Sequence, residues 1–146
     1  MDYKRLIILL ALAATFGTAS ATSKLDKLPA AVRKTAQAET VNAEVLAVKK
    51  EKEGGKTFYE IETRIAGRTR DLVIDEGGSV VVVEEEVALA DVPQVVQSTI
   101  QREAGGAKIV KIEALTKGSE KTFEAIVESR GKQREFIVSA AGALVH

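Results

Sequence analysis

The sequence predicts an α+β protein of two tandem repeats, each a helix packed on a three- to four-stranded antiparallel sheet. Three observations carry this. The chain matches itself without a gap at an offset of 64 residues, the separation of Pro29 from Pro93. Apolar residues after each of those prolines recur at helical spacing. Beyond them the pattern switches to period two and is broken by glycine turns. The expected boundaries are an export signal over 1–21, a first repeat over 26–86 and a second over 90–146.

The self-match is carried by punctuation and by buried types together. Pro29 falls on Pro93, Val32 on Val96, Thr35 on Thr99, Gly54 on Gly118, Glu60 on Glu124, Gly67 on Gly131, Arg70 on Arg134 and Gly78 on Gly142. Conservative pairs such as Val48/Ile112, Tyr59/Phe123, Leu72/Phe136 and Ile74/Val138 lie between them. A repeat of this kind sets the architecture before any single element is assigned.

Each helix opens with proline in its first turn, where a missing N–H costs nothing. Asp91 is placed to cap the second helix, with Gln94 three residues on as in a capping box. Val92, Val96, Thr99 and Ile100 line its apolar side. Gly105-Gly106 should stop it, and Asn42, standing where the second repeat has Gly106, should stop the first. Strands follow. The hairpin over Ala66-Gly67 pairs Tyr59 with Ile74 and Ile61 with Leu72. The hairpin over Arg130-Gly131 pairs Phe123 with Val138 and Ala125 with Phe136. Both registers set apolar side chains opposite apolar ones on one face, which the helix should cover. A further strand over Val80–Val83 runs into Glu84-Glu85-Glu86, read as a solvated strand end.

The N-terminus predicts export. Lys4 and Arg5 precede an apolar run from Leu6 to Phe16, and Ala19-Ser20-Ala21 supplies a cleavage site, so that the mature chain begins at Thr22. The run is too short to span a bilayer of about 30 Å, so no membrane insertion is expected after cleavage, and the location is periplasmic or secreted. The 21 basic and 21 acidic residues fall to 19 and 20 once Asp2, Lys4 and Arg5 are removed, a net charge of −1. Such a chain has no basic footprint for nucleic acid and no polybasic arm for an anionic membrane. The absence of cysteine leaves packing alone to hold the fold.

A helix opening with Leu28-Pro29 or Val92-Pro93, followed by antiparallel strands carrying Tyr59-Glu60-Ile61 and Gly67 through Asp75 with Gly78, resembles the PepSY domain. Its second copy shows Phe123-Glu124 and Gly131 through Val138 with Gly142. The variant it is most similar to is the tandem PepSY-like periplasmic group, likened to β-lactamase inhibitor proteins. The resemblance implies an extracytoplasmic domain that binds or restrains another protein, often a peptidase, and it carries no catalytic residues. Ser139-Ala140-Ala141 stands where the first copy has Asp75-Glu76-Gly77, so the acidic turn of the pattern is missing there.

The chemical inventory points the same way. His146 is the one histidine and ends the sequence, so neither Cys–His nor Ser–His–Asp catalysis is expected. Zinc lacks its usual nitrogen and sulfur ligands, and the carboxylate spacings fit no EF-hand loop. No glycine pair is followed by the lysine and hydroxyl of a phosphate loop. No catalytic, metal or cofactor site is therefore predicted, and the chain reads as a non-enzyme. The leading expectation is an exported protein-binding module, an inhibitor or modulator of an envelope peptidase or other enzyme, with another envelope or secreted protein as partner. A periplasmic small-molecule or ion carrier is the alternative. The binding surface should be the sheet face turned away from the helices. There Glu60, Glu62, Arg64, Asp71 and Val73 are followed in the second repeat by Glu124, Ile126, Glu128, Glu135 and Ile137. Ile126 and Ile137, joined by Ile109 on the neighbouring strand, are the candidate partner-binding residues, because apolar groups inside a charged rim mark contact sites.

Overall fold

The computed structural model describes residues 24–145. Residues 1–23, where the expected export signal falls, and His146 lie outside the described residues. The elements are α1 (Ala30–Glu39), β1 (Glu44–Glu53), β2 (Lys56–Ile65), β3 (Arg68–Asp75) and β4 (Val80–Glu86). After a 3₁₀ turn over Leu89–Asp91 come α2 (Gln94–Ala104), β5 (Lys108–Lys117), β6 (Glu120–Ser129), β7 (Lys132–Ser139) and β8 (Leu144–Val145). Among these elements, no helix is long and apolar enough to cross a membrane.

The strands form one antiparallel sheet of eight, in chain order from β1 to β8. This corrects the expected fold class. The chain is not two helix-on-sheet repeats with separate sheets, because β4 pairs directly with β5. Val83 faces Thr116, Glu84 faces Leu115, Glu85 faces Ala114 and Glu86 faces Glu113 across that seam. The physical reason is the sheet edge. Two separate sheets would each leave a row of unpaired N–H and C=O groups, and pairing β4 with β5 removes both rows. The self-match could not show this, since it reports residue types at an offset and not which strand edges meet.

The hairpin registers agree with those read from the sequence. Tyr59 faces Ile74 and Ile61 faces Leu72, while Phe123 faces Val138 and Ala125 faces Phe136. Ala66 and Arg130 take the left-handed conformation with φ of 51° and 52°, each followed by a glycine with positive φ. Two consecutive positive φ values match the right-handed twist of the flanking strands. The caps differ from expectation. Asp91 does not cap α2: Pro93 holds the N-cap position without a side-chain hydrogen bond. Gln97 Nε2 instead donates to the Val92 carbonyl at 2.9 Å. Gly105 ends α2 in the left-handed conformation, but α1 ends at Thr40 with φ −110° rather than at Asn42.

Both helices lie on the same side of the sheet. Val32 and Ala36 from α1 are buried with Tyr59, Ile61, Leu72 and Ile74. Val96 and Ile100 from α2 are buried with Ile112, Phe123, Ala125 and Val138. Arg70 and Arg134 tie the strands to the helix ends. Arg70 bonds the Glu39 carboxylate at 3.2 Å, and Arg134 donates to the Glu103 carbonyl. Cations at helix C-termini complement the exposed carbonyls and the dipole, so the recurrence of these arginines is structural.

The turn after β3 is pressed against α1. Thr35 Oγ1 donates to the Gly78 carbonyl at 2.6 Å, and Thr99 Oγ1 makes the matching bond to Gly142 at 2.8 Å. Gly78 has φ +87°, and a Cβ there would sit 2.8 Å from the Ala31 carbonyl oxygen. Strain and clash act together against any side chain. Gly78→Ala is expected to cost about 1–3 kcal/mol, read as a lower urea midpoint with unchanged slope. An unchanged midpoint would show that the turn and helix can separate freely.

Candidate binding face

The sheet face opposite the helices is built by the other half of each strand alternation. Glu62 on β2 faces Asp71 on β3, and Asp71 faces Glu84 on β4. Across the seam, Glu86 faces Glu113 on β5, Glu113 faces Glu124 on β6 and Glu124 faces Ile137 on β7. A row of carboxylates thus crosses the middle of the sheet. On either side lies an apolar patch made of strand residues alone. Phe58, Val73 and Val82 form the first, and Leu115 and Ile137, with Val145 against them, form the second.

The acidic centre is poorly solvated. Glu113 and Glu124 are each 1% exposed, and Asp71 and Glu84 are 5% exposed. Oxygens of Asp71, Glu84 and Glu113 lie within 4.8 Å of one another. Asp71 Oδ1 accepts the Thr63 N–H at 3.0 Å. Glu113 Oε1 lies 2.5 Å from Lys111 Nζ, while Lys49 pairs with Glu60 at 3.5 Å and with Glu62. Both carboxylate oxygens of Glu124 are buried without a hydrogen-bond partner.

Burial penalises the ionised form of a carboxyl group, and neighbouring negative charge adds to the penalty. Desolvation, followed by the fields of Glu113 and Glu60, pushes Glu84 up to about 8. Desolvation, followed by Glu135 and Glu113, pushes Glu124 up to about 8. Glu60 rises to about 7 through burial, partly offset by Lys49. Asp71 rises to about 6 through burial, partly offset by the bond from Thr63.

The structure brings together two of the three residues singled out in the sequence. Ile126 and Ile137 lie on this face as diagonal neighbours, with Ile126 opposite Glu135 and Ile137 opposite Glu124. Ile137, expected to be open to solvent, is instead buried at 9% exposure against Leu115 and Val145, while Ile126 is half-buried. Ile109 does not join them. A bulge at Val110 shifts the β5 register between Ile109 and Lys111, so Ile109 points to the helix side and packs against the core beneath α2. One extra residue reverses the facing of everything before it. Sequence reasoning also missed two acids. The Glu84-Glu85-Glu86 run reads as a solvated strand end, yet Glu84 is buried. Glu113 drew no attention because its counterpart 64 positions earlier is Lys49. The period of β4, continued through Val82 to Glu84, was the available signal.

Solved structures share this helix-and-sheet arrangement. A BLIP-like protein from Bacteroides fragilis is 21% identical, with a TM-score of 0.58 over 82% of this chain and 84% of that one. A protein from Bacteroides eggerthii, assigned to the periplasm, is 10% identical with a TM-score of 0.67, covering 82% and 86%. A DUF2874 family protein from Bacteroides ovatus is 14% identical with a TM-score of 0.64, covering 83% and 86%. The fold is BLIP-like. No family model matches the chain, and no curated protein matches it. At these identities the likeness concerns the BLIP-like fold alone, and the PepSY resemblance remains one of turns and buried positions.

Proposed function

We propose that this chain is an exported protein-binding module, an inhibitor or modulator of another envelope protein, and that it binds through the sheet face opposite the helices. The observation that carries this reading is that face itself. Both described helices pack on the other side, and on this face Glu60, Glu62, Ile126 and Glu135 reach solvent around a buried acidic centre and two buried apolar patches. Apolar contact at half-buried Ile126 gives affinity, and the solvent-reaching carboxylates of Glu60, Glu62 and Glu135 select a partner of opposite sign. The partner is expected to bring a lysine or arginine flanked by apolar side chains. The BLIP-like structural neighbour and the neighbour assigned to the periplasm support the same reading.

The test is site-specific crosslinking in exported protein. A photoreactive residue at Glu62 or Ile126 should yield one discrete protein adduct, and one at Lys34, exposed on α1, should yield none. Adducts from Lys34 alone would move the binding surface to the helices. Absence of any adduct from both positions would remove the protein-binding reading.

A further inference from the structure

We propose that Asp71, Glu84 and Glu113, with Glu124 beside them, form a binding site for one divalent cation of calcium size at the centre of the sheet. Three carboxylate oxygens already lie within 4.8 Å of one another. Calcium–oxygen bonds of about 2.3–2.6 Å put opposite ligands roughly 4.6–5.2 Å apart, so the cluster spans one calcium coordination sphere. All-oxygen donors exclude the softer metals that prefer sulfur or nitrogen.

The second observation is independent of the cluster's geometry. Glu124 is 1% exposed, stands directly across from Glu113 on the same face, and has no hydrogen-bond partner at either oxygen. A buried carboxylate without a partner is expensive, because it has surrendered water and received nothing in return. Lys111 brings a single positive charge to Glu113, set against four acids in the immediate group. A divalent ion held by Asp71, Glu84 and Glu113 supplies the missing charge beside Glu124, and Glu113 Oε2, buried without a hydrogen-bond partner, is available to ligate it. The ion adds stability to a protein that folds without it. This proposal goes beyond the binding module above and does not depend on any protein partner.

Calcium is the probe. The full chain as exported, stripped with chelator at pH 8, is dialysed against calcium chloride and then melted. One calcium per chain is expected, with a rise in the unfolding midpoint of roughly 5–10 °C at saturation. Glu113→Gln should keep the native circular dichroism and lose that calcium-dependent rise. If Glu113→Gln does not fold, Glu84→Gln serves in its place. Zero bound calcium, magnesium and manganese at pH 8 would overturn the site. Binding that survives both substitutions would overturn it equally, because the ion would then sit elsewhere.

Discussion

Ile100→Ala is expected to cost about 2–5 kcal/mol, and Ala125→Ile alone about 1–3 kcal/mol, yet the two together should cost much less than their sum. The reason is an exchange of volume between helix and strand. Beneath α1, the small Ala36 is buried in the same cluster as the large Ile61, both 0% exposed. Beneath α2, at the positions 64 residues further on, the large Ile100 comes from the helix and the small Ala125 from the strand, again both 0% exposed. At this pair of positions each core thus holds one isoleucine and one alanine, with the contributors reversed. Removing Ile100 opens a cavity that Ala125 cannot fill. Adding a branched side chain at 125 crowds Ile100. The double exchange recreates the arrangement found under α1 and conserves total volume. Chemical denaturation of the four proteins gives the coupling energy directly. Additive losses would mean that the two side chains do not share a site.

Raising the pH from 5 to 9 should destabilise the protein by on the order of several kcal/mol, with the loss running from about pH 5 to about pH 8. Glu84 and Glu124 have folded-state values near 8, Glu60 near 7 and Asp71 near 6. All lie above the ordinary values of 4.5 for Glu and 3.8 for Asp. Between the ordinary and the raised values, the folded protein holds protons that the unfolded chain has released. Stability is therefore fully present below about pH 4 and is lost as pH rises through the folded values. Many proteins that rely on exposed ion pairs behave in the opposite way, weakening as carboxylates are protonated in acid. Urea midpoints at a series of pH values, without divalent cations, measure the effect. Glu124→Gln should flatten the profile, since Gln cannot ionise. A stability maximum at pH 8 would show that water or ions relieve the acidic centre.

The two predictions rest on opposite faces of one sheet. The helix side is an aliphatic core with interchangeable parts, and its role is to hold the strands in place. The other side concentrates carboxylates beside the β4–β5 seam. The protein tolerates buried carboxylates there because the rest of the sheet supplies stability. A binding surface commonly carries such a local cost, relieved when the ligand arrives.

Much of this architecture was legible in the residues themselves. Ala66-Gly67 and Arg130-Gly131 set two-residue turns, and those turns dictate the registers of Tyr59 with Ile74 and Phe123 with Val138. These are short-range consequences of backbone conformation, and a sequence states them directly. The helix starts after Pro29 and Pro93 and the stop at Gly105 are of the same kind. Three features came only from tertiary structure. The β4–β5 seam converts two expected sheets into one, because strand edges seek partners that no periodicity names. The bulge at Val110 turns Ile109 to the core, because one unpaired residue reverses the strand's facing without changing its composition. The meeting of Asp71, Glu84 and Glu113 follows from that same seam. It brings Glu113 to Asp71, 42 positions earlier in the chain, and carboxylates acquire a shared field only when folding removes the water between them.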